Sequence, residues 1–469
     1  MLDKEISNLI AYAESQLLLD ELDAPRATRR ICKLLGITEF APEAPDEEFV
    51  DAQASPDDLI APLLAYAAEN GKTDATRGEI MDAVSLKPSE VNDLFFDTYS
   101  VNPQKAFEFL YDYNVKCGYI NLDSDQSERW EAKELKSKIE VIINLLPQAE
   151  ASGYPKCPLC KENIGLAGYE NMRPASIDIG GEEWIFNYSR HRYFERHGVL
   201  ANGEHTPLTD GISTIKKLAL AADFIGADGF VGMNAVVENG GAKITAHEHF
   251  QTGAKSTPML RAGYKARFKS KEYPYLELGV VDWYGTVIRF SHSNLEKTVE
   301  FADKLVTAWK SYSDDNIDNK DGKKNFCNVI VRKIAGKYVF DVVLRSNGKK
   351  KHRTPAEYDE IKADALSVTD IMGYFVLPTK LSAQLKEVQS YLDGTNAFDA
   401  ANVPADIKPF VKMIERMLKE QGGTVSKLEA KLNLHDEIDV VCEKILASTA
   451  VFDNVGIQSF FDTLDIRAL

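Results

Sequence analysis

An α+β fold built on antiparallel sheet is predicted by three features of this 469-residue sequence. Apolar residues recur at helical spacing through the first 149 positions. Short β-type runs divided by Gly turns take over from Gly153, and helical spacing returns towards the end of the chain. Strands grouped together, with helices segregated on either side, suit an antiparallel sheet better than alternating βαβ units. Four segments are expected: a helical region at 1–149, a half bearing the chemistry at 150–275, a second β-rich half at 276–390 and a helical region at 391–469.

Each element has its own signal. Leu9, Tyr12, Leu17 and Leu18 open the helical region, and Ile80, Val84, Val91, Leu94 and Phe95 continue it. Residues 41–56 are a connector rich in Pro and acid, and 130–146 suggest an amphipathic helix stopped by Pro147. Residues 178–186 read strand, Gly-Gly turn, strand; further strands are expected at 198–200, 230–238 and 242–250, with a helix at 215–225. A β-rich stretch at 275–290 precedes a helix at 293–312, a polar loop at 313–324 and a hairpin at 328–334 and 337–344. Beyond residue 381 the helices are interrupted between Pro404 and Pro409, and no short-period repeat is present.

Composition excludes several classes. With 44% hydrophobic and 27% charged residues the chain is globular, and no apolar run approaches the ~18 residues that cross a bilayer. Met1-Leu2-Asp3-Lys4-Glu5 lacks the basic and apolar regions of a secretory signal. Six cysteines, four of them scattered, make no disulfide framework, which fits a reducing cytoplasm. A formal charge of −17 argues against nucleic acid as a partner. It leaves room for a small anionic substrate at a local cationic patch, and Lys255, Arg261, Lys265, Arg267, Lys269 and Lys271 are candidates; a solvated face is the alternative.

The densest chemistry lies in His247-Glu248-His249-Phe250-Gln251. As a strand, this places His247, His249 and Gln251 on one face and Glu248 and Phe250 on the other. One imidazole can then hold a metal while the other attacks phosphorus, with the amide steadying a phosphoryl oxygen. It is not a zinc-protease motif, whose histidines lie four apart on a helix. Upstream stand Cys157-Pro158-Leu159-Cys160 and, in Gly203-Glu204-His205, a further imidazole. Cys157, Cys160, His205 and His247 form the two-thiolate, two-imidazole set of a tetrahedral zinc site. A redox pair or two buried thiols are the other readings of the CxxC.

Taken with Gly181-Glu182-Glu183-Trp184, Phe186-Asn187-Tyr188-Ser189, Tyr193 and 371–378 (Ile-Met-Gly-Tyr-Phe-Val-Leu-Pro), these motifs resemble the galactose-1-phosphate uridylyltransferases of the second, bacterial class. The matches run in order along nearly the whole chain. The resemblance implies two histidine-triad-like halves, and a reaction in which UDP-glucose and galactose 1-phosphate exchange a uridylyl group. It places the nucleophile on His249, with Gln251 beside it, and structural zinc on Cys157, Cys160, His205 and His247, with no organic cofactor. Candidate substrate contacts are Asn239, Arg190, Arg192, Lys255 and Arg261; Glu248 is expected to be structural, and His191 and His197 to lie at the surface. A neutral His249 is expected to donate its second nitrogen to a backbone carbonyl. Members of the family often form homodimers.

The chain departs from the family pattern at three places. Thr252 replaces the first glycine of Gln-Gly-Gly, 236–241 replace a Pro- and Gly-rich lead-in, and of a distal His-rich segment only His352 remains. These changes bear on the sugar more than on the reaction. Two further readings stay open: a histidine-triad-type nucleotide phosphorylase or hydrolase, and a non-catalytic zinc-stabilised scaffold.

Overall fold

A computed structural model describes residues 2–122, 127–132, 138–145, 155–227, 229–237, 240–241, 243–253, 257–315, 322–347, 356–362, 365–452 and 456–469. The chain forms two compact units. The first comprises Met1–Asp125, Ala149–Arg192 and Gly198–Thr206; the second comprises Gln126–Gln148, Tyr193–His197 and Pro207–Leu469.

In chain order the helices are α1 (Asp3–Gln16), α2 (Ala24–Leu35), α3 (Glu47–Asp51), α4 (Asp57–Glu69), α5 (Arg77–Val84), α6 (Pro88–Val101), α7 (Pro103–Lys116), α8 (Ile212–Ile225), α9 (Pro258–Arg261), α10 (Leu295–Ser311), α11 (Ala356–Ile361), α12 (Val368–Ile371), α13 (Lys380–Leu392), α14 (Val411–Glu420), α15 (Lys427–Ala447) and α16 (Gly456–Asp462). The strands are β1 (Glu128–Glu131), β2 (Glu140–Ile143), β3 (Ala175–Ile179), β4 (Glu182–Tyr188), β5 (Gly198–Asn202), β6 (Phe230–Met233), β7 (His249–Gly253), β8 (Tyr264–Ser270), β9 (Glu277–Val281), β10 (Thr286–His292), β11 (Asn325–Ile334), β12 (Lys337–Ser346), β13 (Tyr374–Leu377) and β14 (Ile466–Ala468).

The first unit carries α1–α7. Local chemistry sets their boundaries: Thr76 accepts from Glu79 N to start α5, and Asn102 accepts from Lys105 N with Pro103 at the first helical position of α7. Of the residues read at helical spacing, Leu9, Tyr12, Leu17, Ile80, Val84, Val91 and Phe95 are fully buried, whereas Leu94 is half-buried and Leu18, past the end of α1 at positive φ, is exposed. Arg173, only 1% exposed, ties the helices to the strands that follow: it pairs with Asp82 at 2.7 Å and donates to carbonyls of Leu86, Glu170 and Met172. Strands β3, β4 and β5 form an antiparallel ladder whose first turn, Gly180-Gly181, has both residues at positive φ, the twist a two-residue hairpin needs.

The second unit contains an antiparallel sheet in the order β7-β6-β11-β12-β10-β9-β8-β14. One face is apolar and is covered by α8 and α10. The other carries a cross-strand row: Gln251 pairs with Gly232, which pairs with Ile330, then Asp341, Arg289, Gly279 and Arg267. A smaller sheet joins β1 and β2 antiparallel and β2 and β13 parallel. Helices α13–α15 pack around Leu381, Val388, Phe410, Ile414, Leu434, Ile438 and Val441, extending the same core.

Three expectations are corrected. Among the described residues of 130–146 there is no helix: Glu128–Glu131 and Glu140–Ile143 are strands. The β-branched run Val141-Ile142-Ile143 is buried and pairs with β13, more than 200 residues away, so a distant partner overrides a local helical pattern. The strand expected at 242–250 begins only at His249, and the strand expected at 230–238 stops at Met233. Elsewhere the expected hairpin appears as β11 and β12, turning at Ala335-Gly336, both at positive φ.

Candidate active site

His249 is the first residue of β7 and 6% exposed, while His247 precedes the strand and is 1% exposed. The two imidazoles therefore do not share a strand face, although His249 and Gln251 do. His249 Nδ1 lies 2.8 Å from the carbonyl oxygen of His247. Because a carbonyl only accepts, Nδ1 carries the proton and Nε2 of the neutral ring carries the lone pair. Burial disfavours the imidazolium and holds the pKa of His249 below its ordinary value, with the carbonyl bond opposing and His247 assisting. The result is a neutral imidazole whose Nε2 lone pair is fixed in direction.

Gln251 sits two residues on, on the same face. Its Oε1 lies 2.7 Å from Nε2 of His197, a residue 4% exposed. Glu248 turns elsewhere: it is buried, paired with Lys217 at 2.8 Å and within 3.3 Å of Thr214 Oγ1, so its role is structural.

In the first unit, Cys157, Cys160 and His205 converge. The two Sγ atoms are 3.6 Å apart, and His205 Nδ1 lies 3.8 Å from Cys157 Sγ and 3.2 Å from Cys160 Sγ. A tetrahedral ion with Zn–S of about 2.3 Å and Zn–N of about 2.0–2.1 Å spaces such ligands about 3.5–3.8 Å apart. A disulfide needs about 2.05 Å. Cys157 and Cys160 are not joined as a disulfide, and their separation suits two ligands of one ion. Asn163 fastens the knuckle, its Nδ2 donating to the carbonyls of Cys157 and Cys160 at 2.9 and 2.8 Å. This Cys/His cluster has the donors and spacing to hold a metal ion. The fourth ligand expected from sequence, His247, belongs to the second unit.

The remaining candidates are more dispersed. Asn239 and Lys255 lie outside the described residues, as does His352. Arg190 is half-buried in the first unit, where it donates to Gly168 O at 3.0 Å and lies over the Tyr169 ring at 5.0 Å; Arg192 is half-buried nearby in sequence. Arg261 ends α9 in the second unit and is exposed, and Lys265, Arg267 and Lys269 are exposed along β8.

Two features were not legible beforehand. His197 was expected at the surface, but the aromatic side chains of Tyr193 and Phe194 enclose it. Only its company in Tyr193-Phe194-Glu195-Arg196-His197 hinted at burial. The second is a buried clamp in which Asp341 receives Arg289 Nε at 2.6 Å and Arg332 Nη2 at 3.2 Å. The same arginines donate to the carbonyls of Met259, Leu260 and Ala262, so they hold α9 in place after the strand bearing His249. Among the described residues, no helix is long and apolar enough to cross a membrane.

Comparison with known proteins adds an independent line. No family model matches the chain. The galactose-1-phosphate uridylyltransferase of Streptococcus mutans is 30% identical over 84% of this chain and 85% of its own length. That of Caldanaerobacter subterraneus subsp. tengcongensis is 29% identical over 97% and 96%, and that of Bacillus subtilis 28% over 98% and 97%. Among solved structures, yeast Ap4A phosphorylase Apa2 aligns with a TM-score of 0.38 at 12% identity, covering 61% of this chain and 90% of that one. Near-full-length identity at this level, together with the ordered motifs around His249, establishes that the chain belongs to the galactose-1-phosphate uridylyltransferase family of nucleotidyltransferases.

Proposed function

We propose that this protein moves UMP from UDP-glucose to galactose 1-phosphate through a covalent uridylyl-His249 intermediate. The observation that carries this reading is the bond from His249 Nδ1 to the His247 carbonyl, which leaves Nε2 unprotonated and fixed in direction. In the first step the Nε2 lone pair forms an N–P bond to the α-phosphorus of UDP-glucose. The P–O bond to glucose 1-phosphate breaks and the sugar phosphate leaves with the electron pair. In the second step a phosphate oxygen of galactose 1-phosphate attacks the same phosphorus, the N–P bond breaks and UDP-galactose departs. Splitting the exchange this way replaces one difficult displacement with two easier ones. The attacking phosphate is already an anion, so neither step needs a general base for water.

Gln251 shares the strand face of His249 and donates its amide to a non-bridging oxygen as charge builds there. Losing a donor of this kind costs roughly 10²–10³ in rate. Arg261, Lys255, Asn239, Arg190 and Arg192 are the proposed substrate contacts, with Arg190 committing one donor to Gly168. The metal we propose is zinc in a structural role, held by Cys157, Cys160 and His205, with His247 as the fourth ligand on the strength of the sequence pattern. When bound it fixes the thiolates and imidazoles and so stiffens the segment leading into His249. A reducing, cytoplasmic setting keeps the cysteines available.

The test is intact-protein mass spectrometry after mixing with UDP-glucose alone, followed by peptide mapping. A uridylyl adduct on the peptide holding His249, discharged by galactose 1-phosphate as UDP-galactose, is the expected result. Free UMP in place of a stable adduct would redirect the assignment to a hydrolase. An adduct that galactose 1-phosphate fails to discharge would redirect it to another acceptor.

A further inference from the structure

The contact between His197 and Gln251 has no counterpart in the sequence motifs. His197 closes the turn between β4 and β5 and is almost fully buried. Its ring stacks on Tyr193 (centroids 4.9 Å apart, planes at 24°) and leans on Phe194 (4.8 Å, 55°), which fixes its plane. Arg196, the residue before it, sits at φ +54°, a left-handed conformation uncommon away from glycine. Backbone held in such a region is strained and persists only where the surroundings enforce it. Here it turns the chain so that a buried imidazole Nε2 meets Gln251 Oε1 at 2.7 Å.

A carboxamide has one accepting end and one donating end. A phosphoryl oxygen can be approached only by the donating end; the amide oxygen facing it would repel. Left alone, the amide rotates about its last torsion, whose profile is broad and roughly two-fold. His197 removes that freedom by occupying Oε1 with an Nε2–H, and the amide –NH₂ is then the end left for substrate. An imidazole carries a proton on Nε2 both as this neutral tautomer and as the imidazolium, so the arrangement does not depend on the charge of His197.

We propose that His197 is a positioning residue for the transfer reaction, locking the Gln251 carboxamide with its amide hydrogens towards the transferred phosphoryl group. This rests on the assignment of His249 and Gln251 above, and the experiment separates the two. Wild type, His197→Ala, His197→Gln, Gln251→Ala and the His197→Ala/Gln251→Ala double variant are mixed with UDP-glucose. The rate of glucose 1-phosphate release in the first turnover is measured with KM, melting temperature and metal content.

The expected result is a fall of about 10- to 100-fold in that rate for His197→Ala, the scale of a small misplacement of a reacting group, with KM within about twofold. His197→Gln, which returns an N–H near the same point, should recover most of the loss. In the Gln251→Ala background, removing His197 should have little further effect, because the two residues act as one unit. A full His197→Ala penalty persisting without Gln251, or a wild-type rate in His197→Ala, would overturn the proposal while leaving the nucleophile assignment intact. Absence of any adduct on wild-type His249 would instead remove the parent assignment and this proposal with it. His197→Gln failing to recover the rate at unchanged melting temperature and metal content would also count against it.

Discussion

His249 Nδ1 donates to the main-chain carbonyl of His247 across 2.8 Å, so the residue two positions earlier decides which ring nitrogen of His249 is free. A substitution at position 247 can change the side chain but not this carbonyl. The proposed side-chain ligand and the backbone orienter therefore reside in one residue, and they are separable by experiment.

His249→Ala should abolish the covalent adduct and lower transfer by at least about 10³-fold, as expected when a nucleophile is removed. Metal content and melting temperature should stay near wild type. Elemental analysis beside the rate measurement checks both, and an active His249→Ala protein would remove the residue from the mechanism.

Cys160→Ser should lose the metal and lower the melting temperature by roughly 5 °C or more, since binding to a preformed site is linked to folding. Chelation of wild type should do the same, followed by differential scanning calorimetry. An unchanged melting temperature after metal removal would assign the stability of this knuckle to the hydrogen bonds of Asn163 instead.

Asp341→Ala should cost about 3–5 kcal/mol, because it leaves Arg289 and Arg332 buried without their shared carboxylate. Denaturant midpoints measure this. Asp341→Asn keeps an acceptor and should cost less.

Gly241→Ala should destabilise the segment ahead of the histidine pair by roughly 1–3 kcal/mol. Gly241 has φ +91°, and an added Cβ would come within 2.2 Å of the Leu366 carbonyl oxygen. That carbonyl is held by Arg345 at 3.0 Å and cannot retreat freely. Equilibrium unfolding of the variant is the check, and no change would mean that the loop rearranges at little cost.

Asp439 makes stability pH-dependent. Burial pushes its carboxyl up to about 7 from 3.8, Trp130 Nε1 opposes this with a bond of 2.8 Å, and Asp436 adds repulsion. Between those values the folded protein holds a proton that the unfolded chain has released, so stability falls as pH rises and the penalty is complete above about 7. Asp439→Asn removes the penalty and still accepts from Trp130. It should melt higher than wild type at pH 8 and at the same temperature near pH 4; a difference independent of pH would exclude the carboxyl as its source.

Sequence alone determined the α+β class, the helical opening region, the β11–β12 hairpin and the chemical types at the site. Each of these rests on local information: apolar spacing, Gly-Gly or Ala-Gly turns, and two short motifs with unusual donors. The convergence of Cys157, Cys160 and His205 was anticipated because few residue types bind zinc, so chemistry narrows the choice before geometry does. Tertiary structure decided what depends on distant partners. Glu140–Ile143 became a strand because β13 offered an edge, and Glu128–Glu131 pairs with it in turn. His247 left the strand because β7 begins at His249, where pairing with β6 takes over. His197 was drawn inside by aromatic neighbours and by Gln251, 54 positions further along. The arginine clamp on α9 exists only because β10, β11 and β12 align Arg289, Arg332 and Asp341 on one sheet face. Pattern along a chain reports which face a residue prefers; the charge or hydrogen-bond partner waiting there is set by segments far away, and only folding brings them together.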